Sequence, residues 1–288
     1  MSEKALAQPV TYVEAATTPS SESNSLHNSD LESSGPKSLM SLRKYLAADV
    51  DPNWTTAPLA MYCFMTGYCN AVCFSAIFVW CGFQTGNFAQ LALAVGRLFE
   101  GAPGDLTFHK ADQQALCSLL GFNAGAFIGR LGDRVGPHKR LWLIFGTFIQ
   151  TLFTMVCAIT LWKSGQGSIA NARDDPAWTN ALTFVAVALM SASLGLQGIL
   201  SKRLNRQFGT TIVLTTIWIE LMCDPKLFRI RQYVVTRDHR LIAAFSLFLG
   251  AFIGRAILFE LGSAATMGIG VGLRMIITFS WFLIGANF

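Results

Sequence analysis

The chain has 288 residues, of which 52% are apolar and only 14% charged, and its net charge is +5. Soluble domains carry about a quarter charged residues, so this composition excludes one and points to a membrane protein. The positive charge is spread over loops between apolar segments, which reads as membrane orientation and excludes a nucleic-acid patch.

Ser, Thr, Asn, Glu and Ala dominate from Ser2 to Ser38, with few large apolar residues. Such a segment cannot bury enough surface to offset the entropy of ordering it. Residues 1–53 are therefore expected to be a disordered Ser/Thr-rich cytosolic tail, and residues 54–288 a transmembrane domain. No basic-then-apolar signal peptide opens the sequence, so Thr55–Trp80 is the expected signal anchor. The run Thr17–Ser23 either offers phosphorylation sites or is plain solvated tail.

Eight apolar segments follow, at about Ala57–Trp80, Phe83–Phe99, Gln114–Arg130, Leu141–Trp162, Trp178–Leu200, Thr210–Met222, Leu241–Leu258 and Ala264–Phe288. The second, with only about a dozen residues between Thr85-Gly86-Asn87 and Glu100, and the sixth are marginal against the ~17–25 residues a span needs. Loop charges decide how they are placed. Arg130, Arg134, Lys139 and Arg140 outweigh Asp133; Lys202, Arg203 and Arg206 have no acidic counterpart; Lys226, Arg229, Arg231, Arg237 and Arg240 outweigh Asp224 and Asp238. By contrast Glu100–Asp112 is acidic and Lys163–Ala177 neutral. Eight full spans put at least one basic loop on the wrong side. If segments two and six are re-entrant, all three basic loops and both termini lie on the cytosolic side, as the positive-inside rule requires. The expected fold is all-α: a polytopic helix bundle of six spans plus two short re-entrant half-helices.

The hexapeptide Gly125-Ala-Phe-Ile-Gly-Arg130 recurs as Gly250-Ala-Phe-Ile-Gly-Arg255. It suggests two repeats, about 57–162 and 178–288. Each holds three spans, an odd number, so the second is inverted and a substrate site is expected between them. Gly67 and Asn70 then correspond to Gly195 and Gly198, Thr85-Gly86 to Thr215-Thr216, and Gln150 approximately to Arg274.

Gly121, Gly125 and Gly129 lie on one helix face, and Ser246, Gly250 and Gly254 repeat the spacing. Small residues so spaced let helix backbones approach closely in lipid. These two helices are expected to pack against each other, or against the re-entrant segments. Gln84-Thr85-Gly86-Asn87 opens the second segment. It is either a half-helix N-terminus aimed into the bilayer, suited to an anionic group, or a polar turn capped by Thr85. Arg274 lies deep inside the last segment, where a charge costs ~2.5–3.5 kcal/mol and needs a partner. The functional reading is an anion or proton-coupled site; the structural one is a pair with Glu220, or an arginine that snorkels because the last helix starts late.

The seven cysteines form no Cys-x-x-Cys pair, and the four histidines lie in the tail or loops with no ligand spacing. No metal, no cofactor and no catalytic residue is expected, since no nucleophile–base pair is supported. Gly129–Arg140 resembles the cytoplasmic loop signature of major facilitator transporters, where acid–base pairs clasp helix ends. The likeness covers a dozen residues, and the second half holds no copy.

A wider resemblance covers about Ala57 to Phe288. Gly67-x-x-Asn70-Ala71, then Thr85-Gly86-Asn87, then a Gly-rich helix, with Gly195-Leu-Gln197 in the second half, resembles the YoaK-like family of membrane proteins (domain of unknown function 1275). The family commonly has an acidic residue at the position of Asn70, and Thr-Gly at that of Thr215-Thr216. The resemblance implies a polytopic membrane protein and brings no reaction or substrate. The expected function is that of a small transporter or permeator, not an enzyme. Its site would draw on Asn70, Thr85, Gly86, Asn87, Gln197, Thr215, Thr216, Glu220 and Arg274 and take a small anionic solute. The alternative is a non-transporting scaffold or sensor that works through its tail and its helix–helix interfaces. The expected partners are the lipid bilayer, an anionic solute and a second copy of the chain, with no nucleic acid.

Overall fold

The computed structural model describes residues 37–100, 108–173, 175–204, 211–212, 214–229 and 231–285. Its helices are α1 (Lys37–Ala47), α2 (Thr56–Ile77), α3 (Gln84–Arg97), α4 (Lys110–Gly129), α5 (Gly132–Val135), α6 (Arg140–Ser164), α7 (Ala181–Leu204), α8 (Leu214–Met222) and α9 (Val235–Leu283). Among the described residues the only extended pairings are the isolated bridges Asp49–Lys139 and Ala172–Asp175. Five helices, α2, α4 continued by α5, α6, α7 and α9, are long and apolar enough to cross a membrane.

The fifth of these supplies two crossings. A straight helix of 49 residues would measure ~74 Å, more than twice the ~30 Å hydrocarbon core. Helix α9 breaks at Gly262, which has φ 77° and ψ 171°, a conformation that only glycine adopts readily. Tyr68 shows how sharp the break is. Its backbone lies against Gly254, and its hydroxyl donates to the Thr266 carbonyl at 2.7 Å. Those positions would be ~18 Å apart on a straight helix, beyond the reach of one side chain. The arms on either side of Gly262 therefore fold back on each other. The result, among the described residues, is a helical membrane bundle with six span-length helices and three short ones, α1, α3 and α8.

Contacts between helices fix their directions. Gln197 bonds the Tyr62 carbonyl and the Thr66 hydroxyl, while Leu194 lies against Gly82, next to Asn70. Helix α7 thus runs antiparallel to α2. Gly121 meets Ala188 and Gly125 meets Ala192, so α4 runs parallel to α7 and antiparallel to α2. The end of α2 and the start of α4 then share one end of the bundle, and α3 between them does not cross it.

The route into α3 explains this. Phe78 ends α2 with φ 54°, and Trp80 stacks on Phe74 at 3.9 Å. The chain then doubles back until the Gly82 N–H donates to the Asn70 side chain at 3.0 Å. Helix α3 begins there, beside Ser118 and Ser191, halfway along α4 and α7. It ends where Arg97 pairs with Asp112 in the first turn of α4. After α7 the chain returns likewise. The Thr211 hydroxyl bonds Ser201 at 3.1 Å, and Ile212 lies against Gly198. Helix α8 then carries Glu220 in its last turn, tied to Arg240 at 3.1 Å.

The close helix contacts also recur. A Cβ on Gly67 would strike the backbone at Leu247 and Ala251, and one on Gly195 would strike it at Phe122 and Ala126. Counted from the two hexapeptides these are the same positions, three before and one after the first glycine. Gly125 lies against Ala192 and Gly250 against Phe64. The two glycine-faced helices therefore do not pack on each other as expected. Helix α4 pairs with α7, and the first arm of α9 pairs with α2. Each finds the first helix of the other half, whose own glycine completes the fit.

One end of the bundle gathers the basic loops. Asp133 pairs with Arg203 at 2.8 Å, the Val50 N–H donates to the His138 carbonyl, and Thr56 bonds His239. Helix α1 lies at this end, inside the stretch expected to be unstructured. Residues 37–53 are not tail: Val50 is buried, and Tyr45 and Ala48 are bonded to Arg140. The missed signal was Leu39-Met40, Leu42, Tyr45-Leu46, a helical apolar stripe in a polar context. Residues 1–36 and 286–288 lie outside the described residues. At the opposite end, the segment between α6 and α7 covers the end of α2. The Ala170 and Ala177 N–H groups cap the Ser75 and Ala76 carbonyls, each at 2.9 Å, which would otherwise be orphaned.

Candidate functional site

The second arm of α9 faces α6 across the centre of the bundle. Gly146-x3-Gln150-x3-Thr154 on α6 and Gly270-x3-Arg274-x3-Thr278 on α9 share one spacing. A step of four residues keeps all three positions on one helix face. The Thr154 hydroxyl bonds the Gln150 carbonyl at 2.8 Å, and the Thr278 hydroxyl bonds the Arg274 carbonyl at 2.9 Å. Gly270 leaves room for the methyl of Thr154. Sequence reasoning paired Gln150 with Arg274 only approximately; this shared spacing would have aligned them.

Arg274 is fully buried. Its Nη1 donates to the Oε1 atoms of Gln150 and Gln197, the second at 3.4 Å. Gln197 is held by its own amide, whose Nε2 donates to the Tyr62 carbonyl and the Thr66 hydroxyl at 2.9 Å each. Its Oε1 is thereby turned to the guanidinium. The Tyr62 hydroxyl bonds the Thr147 hydroxyl at 2.6 Å, and Trp281 Nε1 donates to the Thr147 hydroxyl at 3.0 Å. These bonds make a continuous polar seam through an apolar bundle.

The seam has more donors than acceptors. Among the described residues Arg274 Nε and Nη2 and Gln150 Nε2 make no hydrogen bond of good geometry; the weakly accepting Cys69 thiol stands beside the guanidinium, and the Tyr62 hydroxyl, already bonded to Thr147, stands beside the Gln150 amide. None of the ion pairs of the described residues includes Arg274. A buried group left without its partner costs ~1–3 kcal/mol, and more if charged. Three neighbouring nitrogen atoms in that state are set to receive an acceptor.

Glu220 is not that acceptor. The sequence placed it at Arg274's depth, but it lies in the last turn of α8 with 42% of its side chain exposed and pairs with Arg240. A half-helix that stops early puts its last residues near the bundle end, not the middle. Asn70 and Gln197 are buried near Arg274. Asn70, though, is engaged with the Thr66 carbonyl at 2.8 Å and the Gly82 N–H, so it holds the returning chain.

Asn87 is buried in a second cluster. Its Nδ2 donates to the Ser118 hydroxyl and Gln84 Oε1, each at 3.0 Å, and its Oδ1 accepts from the Trp80 N–H. Every hydrogen-bonding atom of its amide is thus used to seat α3. Thr85 makes no cap, since the residue before the helix is Phe83 with no side-chain bond. Thr85, Gly86 and Thr215 are exposed and Thr216 is half-buried, so these four do not join Arg274. Gly86 instead lines an open cleft of about 1100 Å3 with Trp80, Leu93, Arg97 and Lys110. Of the nine expected residues, Gln197 and Arg274 meet directly, and Gln150, Tyr62 and Thr66 are the additions.

A second cation shapes the end of the seam that lies under α1. Arg140 is fully buried. It donates to the carbonyls of Tyr45, Trp281 and Ile284 and stands 3.8 Å over the Tyr45 ring. It thus satisfies the last carbonyls of α9 while fastening α1 beneath Trp281.

Comparison with the curated proteins returns no match, and comparison with the solved structures returns none either. The model of the family described as a protein of unknown function (DUF1275) matches residues 59–280. That match takes in the seam from Tyr62 to Thr278 and more than half of the chain, and the chain belongs to this family.

Proposed function

We propose that the protein is a small transporter or permeator of two inverted repeats, about 57–162 and 178–288, that passes a small anionic solute between them. The observation that carries this reading is the group of buried donors at Arg274 and Gln150 that make no hydrogen bond of good geometry among the described residues. A lipid-spanning helix retains such a charge at its centre for a pathway or a partner, and no carboxylate is paired with this one. The recurrence of the Gly67 and Gly195 contacts supports the repeat. It puts Gln150 and Arg274 opposite each other on the axis that would relate the halves, where transporters of this construction hold substrate. The basic loops at the α1 end put both termini in the cytosol by the positive-inside rule.

Flux through reconstituted vesicles tests it. Wild-type protein should pass formate, nitrate or chloride, and folded Arg274→Gln should not. Vesicles that stay sealed to all three with wild-type protein would overturn the reading in favour of a scaffold or sensor.

A further inference from the structure

We infer that the Arg274 site selects a planar monoanion with two oxygens on one edge, the shape of a small carboxylate or nitrate, over a spherical halide. This rests on the anion reading above and adds the class of solute.

The geometry comes from which edge of the guanidinium is free. Nη1 is engaged with Gln150 and Gln197. The unpartnered atoms are Nε and Nη2, which form the side edge of the planar group. Their N–H bonds point the same way, and that paired direction matches two oxygens of one carboxylate or nitrate. A single spherical ion cannot lie in line with both N–H bonds.

The third donor is oriented by the same contacts. Gln150 must turn Oε1 toward Nη1, because its amide N–H groups would otherwise face those of the guanidinium. Its Nε2 is left free on the seam. Gln197 cannot supply a substitute acceptor by flipping, since its Nε2 is held by Tyr62 and Thr66. The charge of the solute follows as well. Arg274 is the one cation of the seam's centre and is wholly buried, so one negative charge neutralises it. A dianion would leave net charge in a medium that penalises it.

The experiment is thermal stability of the purified protein in detergent, titrated with sodium formate, nitrate, chloride or sulfate against a bulky sulfonate at constant ionic strength. Formate and nitrate should raise the melting temperature saturably, with midpoints about ten-fold below that of chloride, the order of one additional charge-assisted bond. Sulfate should have no effect. Arg274→Lys keeps the charge but loses the two-nitrogen edge, so it should respond to formate and chloride alike. Gln150→Glu supplies a carboxylate in place and should respond to neither while remaining folded.

Equal midpoints for formate and chloride in the wild type would overturn the selectivity and leave the anion reading standing. No response to any of the salts would overturn both. A wild-type response to formate in Gln150→Glu would place binding elsewhere and overturn the inference even if Arg274→Lys failed to fold.

Discussion

A single methyl group at either hexapeptide should unlock the bundle. A Cβ on Gly125 would stand 2.6 Å from Cα of Ala192, and one on Gly250 would stand 2.7 Å from the carbonyl carbon of Phe64. Carbon atoms pack at about 3.5–4.0 Å, so each Ala must push two helix backbones apart by roughly 1 Å. No flexible side chain can yield instead, because the obstructing atoms are main chain. Overpacking of this kind costs ~1–3 kcal/mol. At about 2–4 °C per kcal/mol for a chain of this size, Gly125→Ala and Gly250→Ala should each lower the melting temperature by roughly 2–12 °C. Gly272 is the control: it lies on the same kind of helix with nothing within 4 Å of its added Cβ. Gly272→Ala should be neutral or raise stability by about 0.5–1 kcal/mol through helix propensity. Differential scanning fluorimetry in one detergent compares the three. If Gly125→Ala and Gly250→Ala melt with the wild type while Gly272→Ala melts lower, the backbone contacts are not what holds the helices together.

Three further outcomes follow from the side-chain partners. Glu220→Gln should fail to rescue Arg274→Gln, and the two changes should add in melting temperature, because Glu220 is tied to Arg240 instead. Arg140→Ala removes a cation bonded to three carbonyls, each such bond being worth ~1.5–3 kcal/mol; it should release α1, read as faster tryptic cleavage at Arg43 and Lys44 before the bundle unfolds. Asp224 is held below the usual carboxylate range by the Lys226 N–H, the Thr236 hydroxyl and the nearby Arg240. Its contribution should be fully present above the unfolded value of ~3.9 and be lost as pH falls through the lower folded value, so wild type should lose more melting temperature than Asp224→Asn between pH 5 and pH 2.

The architecture was legible because membranes make sequence simple. Span length and loop charge are imposed by the bilayer, and together they separated α3 and α8 from the full spans. The interior was less legible for a physical reason. Polarity within a span marks a residue as buried but not as free. Asn70, Asn87 and Gln197 look alike in sequence. In the structure Asn70 and Asn87 are fully engaged by neighbouring backbone and hydroxyl groups, and only Gln197 is turned toward the charge. Glu220 misled because depth was judged by position in a segment, and a half-helix has no second half to make its end deep. Helix α1 was hidden because its stripe is short and follows a long polar stretch, and what holds it is Arg140, which lies far away in sequence.

On the proposed repeat, the difference between the two halves at the seam has a physical reason. Gln150 faces Arg274 and Thr154 faces Gly270, so identical copies would set two equal side chains against each other where Gln150 meets Arg274. Two arginines there would repel with no carboxylate among the described residues to separate them, and two glutamines would bring no charge. One of each resolves the conflict. The glutamine accepts from the guanidinium through Oε1 and offers its Nε2 beside it, adding a donor where a second arginine would have added a charge. On the proposed repeat, Gln150 and Arg274 differ where symmetry and electrostatics make incompatible demands, and the departure leaves a lone buried cation with its side edge open.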